Sequence, residues 1–433
     1  MASAKPTLFP VLMVNFIGTL GYSIILPFLV FLVDKFGGNE FIYGIMGSVY
    51  PAFQFFGAPV LGRWSDTYGR RRILFLSQAG TLLAWIIFMI ALIVPSTSLM
   101  QVDQSIVGSF TLTVPLIILF MARALDGITG GNVSVANAYL SDISTDDTRK
   151  ANFGKMAMSS SMGFILGPTI AGLLGATVYE EILPVGAAIL ISVVALVVIW
   201  FRLPESKTNL VKPDLSRFKI RKLFASEQKD CYETKDCPEK GVRAVFKIRY
   251  IPFLIVIYFL TFLGFSFFYV SFPMHALKVL GWNAFELGIF FSVLSGMMIL
   301  VQGPLLSRLS KAVSDELLVC IGSLLLVGNF VLISSANLTM AYMALGFFAL
   351  GNGLMWPSFL AILSRYAGDE QQGAVQGVAN SAGSLASIIG LILGGWLYGN
   401  IGNVTFYTAA ALLFVIFGLS FHLFTIKRKT QKA

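Results

Sequence analysis

"GRWSDTYGRRRIL", residues 62–74, sets one acidic and four basic side chains between two long apolar runs. The rest of the chain is unlike it. Of 433 residues, 56% are hydrophobic and 12% charged, with a mean hydropathy of +0.79, whereas a soluble domain carries about 25% charge. The charge knot is therefore a short polar break in a membrane protein, and the apolar runs around it are read as membrane spans of about twenty residues.

Twelve such runs can be read off the sequence. The first six cover 8–33, 41–61, 74–94, 115–140, 153–178 and 184–203, and the second six cover 251–273, 285–306, 317–335, 340–363, 375–398 and 404–426. They predict an all-α polytopic membrane protein of twelve transmembrane helices, with a six-helix bundle over 1–203, a linker over 204–250 and a second bundle over 251–433. The first run is too long for a signal-peptide core and has no small-residue cleavage site, so it is expected to be a retained helix. The linker is charged and broken by Pro204, Pro213 and Pro238, and short amphipathic helices on the lipid surface are expected there.

Lys and Arg fix the expected orientation, because cytoplasmic loops retain positive charge. With the amino terminus inside, 28 of the 31 fall on the cytoplasmic side; Lys35 and Lys278 lie outside and Arg123 lies within a span. Both termini are thus expected in the cytoplasm of a cell whose plasma membrane holds the protein, a bacterial inner membrane above all. The net charge of +9 is a topology signal, not a nucleic-acid footprint. Cys231, Cys237 and Cys320 are expected as free thiols: they map to the reducing side, and the linker has neither zinc-knuckle spacing nor a His.

The two halves repeat one another. "LGYS" (20–23) returns as "LGFS" (263–266), and "AYLSDISTDDTRKANFG" (138–154) matches "AILSRYAGDEQQGAVQG" (361–377) without a gap. Parallel repeats of this kind imply pseudo-symmetric bundles and a substrate site near the membrane midplane that is exposed to each side in turn.

The opening stretch resembles the loop signature between the second and third helices of the major facilitator superfamily. Gly62, Asp66, Gly69, Arg70 and Arg71 match that pattern, while Trp64 and Thr67 depart from it. "RALDGITGG" (123–131) resembles the superfamily's fourth-helix motif, and "GFILGPTIAG" (163–172) its Gly-Pro fifth-helix motif, characteristic of antiporters. Within the superfamily, the chain is most similar to the twelve-helix drug/proton antiporters that include tetracycline exporters.

The resemblance implies a conformational gate. Gly62 and Gly69 are expected to allow close approach and a tight turn, and Asp66 and Asp142 to pair with Arg70 next to Arg71 and latch one state of the cycle. Aligning the halves at Pro59 and Pro304 sets Asp66 against Lys311, Arg70 and Arg71 against Asp315 and Glu316, and Asp142 against Arg365. All these signs invert together. The inversion predicts a second latch in which Asp315 or Glu316 pairs with Arg365. In the fifth-helix motif, Gly163, Gly167 and Gly172 recur on one helix face, expected against the eighth helix, and Pro168 removes a backbone donor.

Arg123 and Asp126 are the opposite charges that lie within a span, at i, i+3 spacing where they can pair. Protonation of Asp126 would change its attraction to Arg123, so the pair is the candidate for proton coupling. The related antiporters carry an acid in the first helix near the position of Gly18, and this chain has none. By resemblance, the cavity is expected to draw polar contacts from Asn15, Gln54, Asn137, Asn352 and Asn380, and aromatic walls from Tyr22, Tyr50, Phe265, Tyr269 and Trp356.

The leading reading is a secondary transporter, a monomer without cofactor or metal, that exports a small amphipathic organic compound in exchange for protons. An importer or uniporter of a metabolite or siderophore on the same fold is the alternative, and a membrane receptor or enzyme the remote one. No nucleotide-binding Gly-Lys-Ser/Thr motif, metal cluster or nucleophile with a base appears in the sequence, which argues against an enzyme.

Overall fold

The computed structural model describes residues 8–130, 132–206, 245–367 and 372–431. Cys231, Cys237 and the surface helices expected in the linker lie outside the described residues. The chain divides into two compact units, Met1–Leu223 with Trp282–Ser292, and Phe224–Gly281 with Val293–Ala433.

The first unit runs α1 (Leu8–Ile24), α2 (Leu29–Lys35), α3 (Glu40–Tyr68), α4 (Arg70–Ile93), β1 (Ser98–Gln104), β2 (Gly108–Thr113), α5 (Val114–Thr129), α6 (Asn132–Ile143), α7 (Asp146–Gly175) and α8 (Ile182–Arg202). The later helices are α9 (Ile251–Lys278), α10 (Ala284–Leu300), α11 (Leu306–Ala312), α12 (Asp315–Ile333), α13 (Leu338–Ala367), α14 (Gln372–Ile401) and α15 (Val404–Gln431). Among the described residues, eleven helical stretches are long and apolar enough to cross a membrane. The twelfth expected span is α3, which has 29 residues but carries Tyr43, Ser48, Tyr50, Gln54 and Ser65 along its length.

Three spans read as continuous are interrupted, each for a local reason. The first gives way to turns between α1 and α2 around Pro27, which has no N–H to donate and whose ring crowds the preceding turn. The fourth ends at Thr129 and resumes at Asn132, where Gly130 caps α5 by donating to Gly127 O over 3.1 Å. The eighth passes through a π-helical turn at Val301–Leu305, which contains Pro304, before continuing as α11.

A β-hairpin joins α4 to α5, where the sequence predicts only a connection between spans. Its strands pair antiparallel, Met100 with Leu112 and Val102 with Phe110. It is tied to the end of α2: Thr111 N donates to Gly37 O over 2.8 Å, and Asn39 Nδ2 donates to Val107 O over 2.8 Å. Nearby, Lys35 Nζ lies 2.6 Å from Glu180 Oε2, and this ammonium holds the Glu180 carboxyl below the usual carboxylate range.

One buried cluster in the first unit draws on all six of its spans. Val11 and Val14 of α1, Leu61 of α3, Ile73 and Leu74 of α4, Tyr139 of α6, Met156 of α7 and Ile199 of α8 pack together. Ile73 and Leu74 of this cluster lie within about one turn of Arg70 on α4.

Candidate functional site

The charge knot folds as two helices separated by one residue. Gly69 stands between α3 and α4 with φ of +100°, a conformation that favours glycine. A Cβ there would also lie 2.5 Å from the Glu205 carboxylate. Gly62 differs from its expected role: it lies inside α3, and a Cβ there would meet nothing within 4 Å.

Arg70 is buried, and its guanidinium fork is shared among several acceptors. Nη2 reaches Asp66 Oδ1 at 2.6 Å, Nε reaches Asp142 Oδ2 at 3.1 Å, and Nη1 donates to Ser65 Oγ at 2.5 Å. A planar donor set of this kind suits two carboxylates better than an ammonium would. Two groups at the start of the segment 204–250 join the knot. Glu205 caps α4, accepting from Arg70 N at 2.8 Å and Arg71 N at 3.2 Å, and Ser206 Oγ donates to Asp142 Oδ2 at 3.2 Å. Arg71 itself turns away and donates to Trp200 O.

In the second unit, Arg365 meets both candidate acids, Asp315 at 2.5 Å and Glu316 at 3.3 Å. The third member is a surprise. Lys311, the residue aligned with Asp66, stands exposed, and Lys427 of α15 approaches Glu316 to 2.8 Å instead. Glu316 is only 1% exposed, so its charge depends on these two cations.

Arg123 and Asp126 form their i, i+3 pair at 3.5 Å on α5. The Arg123 guanidinium lies 4.9 Å from the centre of the Tyr50 ring, within cation–π range. Tyr22 packs on Tyr50 at 5.1 Å, and Gln54 donates to Tyr50 Oη at 3.1 Å and to Gly130 O at 2.8 Å. Glycines make this cluster possible: a Cβ at Gly127 would lie 2.6 Å from Tyr50 O, and one at Gly130 would lie 2.7 Å from Tyr50 Oη. Helices α3 and α5 can therefore approach closely enough to put the phenol against the guanidinium. Arg123 Nε is buried without a partner, and beside it a cavity of about 10 Å³, lined by Ile25, Ala84, Trp85, Phe88, Ala122, Arg123 and Asp126, has room for about one water.

The other expected cavity residues separate into two groups. The Asn15 amide donates to Met156 O at 3.1 Å, Ser159 Oγ at 2.8 Å and Ser160 Oγ at 2.7 Å, and so joins α1 to α7. Asn137 is half-buried on α6. In the second unit, Trp356 packs against Phe262 and Phe265, and Asn380 Oδ1 accepts from Tyr258 Oη at 2.8 Å. Tyr258 was missed in the sequence because it is one aromatic among many. Tyr269 packs on Phe268, and Asn352 is buried with Oδ1 unpartnered.

The fifth-helix glycines have a different partner from the one expected. Gly163 and Gly167 lie against α1, where added Cβ atoms would stand 2.9 Å from Leu20 N and 2.9 Å from Ile24 N respectively. Ser23 Oγ completes the seam by donating to Gly163 O at 2.9 Å. Only Gly172 of the three meets the start of the eighth span, whose residues Trp282–Ser292 belong to the same unit: a Cβ there would be 3.3 Å from Gly288 Cα. Pro168 sits inside α7 without ending it.

Helices of this number and apolarity, carrying buried ion pairs, define a multi-pass integral membrane protein. The family model of the Major Facilitator Superfamily matches residues 11–328 and again 316–433, so the chain belongs to that family of transporters. It is 26% identical over 401 residues to the class E tetracycline resistance protein of Escherichia coli, covering 90% of this chain and 88% of that one. It is also 26% identical to major facilitator superfamily domain-containing protein 10 of Bos taurus, over 86% of this chain and 76% of that one. Among solved structures, the human organic anion transporter MFSD10 (TETRAN) superposes with a TM-score of 0.66 at 20% identity, covering 95% of this chain and 98% of that one. A D-xylose-proton symporter superposes with a TM-score of 0.71 at 13% identity, over 95% and 96%; these likenesses carry the fold.

Proposed function

We propose that this protein exports a small amphipathic organic compound by proton antiport, working by alternating access as a monomer in a plasma membrane with the Arg-rich face and both termini in the cytoplasm. The observation that carries the reading is the buried Arg123–Asp126 pair, 3.5 Å apart and set against Tyr50. A titratable acid beside a fixed cation is a two-state element: protonating Asp126 removes the ion pair and leaves Arg123 to find another acceptor. An organic substrate with a neutral or mildly anionic polar group suits that cation, and Tyr22, Tyr50 and Gln54 supply apolar surface and hydrogen bonds around it. The tetracycline resistance proteins among its relatives support a substrate of this class.

In this reading the Arg70 network with Asp66 and Asp142, and the Arg365 network with Asp315 and Glu316, are conformational latches. Flux in proteoliposomes, measured with and without a pH gradient, tests the proposal. Accumulation should require the gradient, and substrate addition should move protons. A second reading, facilitated uptake, draws on the missing first-span acid near Gly18; it expects equal flux with and without the gradient.

A further inference from the structure

Beside the charge knot lies a groove of about 570 Å³, formed by α4, the end of α8 and Glu205. Its lining changes character along its length. Arg71 and Arg72 stand at one end, and Phe75, Leu76, Ala79 and Trp200 continue from them. Spacings of i, i+4 and i+7 from Arg72 to Leu76 and Ala79 put the cation and the apolar side chains on one face of α4. Trp200 packs on Phe75 at 5.3 Å, and Arg71 sits 5.8 Å over the Trp200 ring while donating to Trp200 O. Leu76 and Trp200 nonetheless remain half exposed, at 50% and 57%.

The charges in the groove do not cancel. Arg70 is matched by Asp66 and Asp142, and Glu205 is turned onto the backbone N–H groups of Arg70, Arg71 and Ser206. Arg72 is exposed, and among the described residues it makes no ion pair or side-chain hydrogen bond. Two guanidiniums against one carboxylate leave an excess of positive charge. The groove also lies where the apolar part of α4 begins, at Ile73, and where that of α8 ends, at Phe201, the level at which lipid headgroups meet a span.

We infer that this groove is a binding site for an acidic phospholipid, with the headgroup phosphate on Arg72 and Arg71 and the first methylenes of an acyl chain on Phe75, Leu76, Ala79 and Trp200. A free phosphate would use only the basic end, and a zwitterionic lipid would bring its own cation to a site already in positive excess. The inference stands on the groove alone and is independent of the substrate or coupling ion.

Trp200 provides the probe. The full chain, reconstituted in phosphatidylcholine vesicles, is titrated with phosphatidylglycerol brominated on its acyl chains, and separately with brominated phosphatidylcholine. The part of the tryptophan emission that disappears in Trp200→Phe should be quenched at about fivefold lower mole fraction by the acidic lipid, the effect expected of one Arg near the bilayer surface. Arg72→Gln, which breaks no ion pair or hydrogen bond among the described residues, should abolish that preference. Equal quenching by both lipids in the unaltered protein would overturn the site. So would a preference that survives Arg72→Gln, or one removed by millimolar inorganic phosphate.

Discussion

Lys427 Nζ stands 2.8 Å from Glu316 Oε2, joining two helices whose contact residues are 111 positions apart. Glu316 is almost fully buried, and Arg365 takes its other oxygen at 3.3 Å. Removing one cation leaves the carboxylate with the other, so Lys427→Met should cost about 1.5–3 kcal/mol, the range for a hydrogen bond to a charged group. Glu316→Ala should cost more, because both cations then lose their buried acid. Detergent-titration unfolding of the two variants measures the order, and a larger loss for Lys427→Met would contradict it.

The Arg70 network ranks its acids by burial. The Asp142 side chain is 7% exposed and the Asp66 side chain 25%. Asp142→Asn should therefore destabilise the protein by about 1–3 kcal/mol, and Asp66→Asn by about 1 kcal/mol or less, as for a partly solvated pair. If the network is a latch, both should lower turnover by more than their loss of folded protein explains. Flux per folded molecule, set against melting temperature, separates the two effects; unchanged flux in Asp66→Asn would remove it from the latch.

Two glycines of α7 provide a matched pair. A Cβ at Gly167 would collide with Ser23 Oγ and stand 3.0 Å from Leu20 O, while one at Gly154 would meet nothing within 4 Å. Gly167→Leu should destabilise by about 1–3 kcal/mol through overpacking against α1, whereas Gly154→Ala should be neutral or stabilise by up to about 1 kcal/mol through helix propensity. Thermal unfolding in one detergent compares them directly. A Gly167 variant as stable as the parent would show that α1 yields at this seam.

Asp126→Asn keeps the size of the side chain but cannot exchange a proton. Accumulation driven by a pH gradient should vanish, while exchange of labelled for unlabelled substrate survives. Arg123→Lys keeps the charge but loses the planar group that lies against Tyr50, and should impair transport without abolishing it. Proton movement recorded together with flux decides the matter: full coupling in Asp126→Asn would move the proton site elsewhere, with Glu286 at the start of α10 the next acid to test.

Much of this architecture is legible in one dimension. Span count follows from runs of apolar residues long enough for a bilayer, and the internal repeat from matching strings such as 138–154 and 361–377. The Arg123–Asp126 pair follows from helical spacing, and the Arg365 contacts with Asp315 and Glu316 from the sign inversion between the halves. Pro27 and Pro304 were visible as residues, but whether a proline interrupts its helix depends on surroundings; Pro51 and Pro59 sit inside α3 without breaking it.

Tertiary structure alone decided which faces meet. A span that is apolar all round carries little periodic signal for its rotation about its own axis, so the sequence does not show that the Asn15 amide binds α7. For the same reason Gly163 and Gly167 could be assigned to the eighth span when they pack on α1. Glu205 and Lys427 were hidden differently. Each lies just past an apolar run, where composition marks only a polar chain end, and each gains its role when packing brings it against Arg70 and Arg71 or against Glu316. Charge at a membrane face is a one-dimensional property, but the partner of a charge is set by the close packing of distant helices.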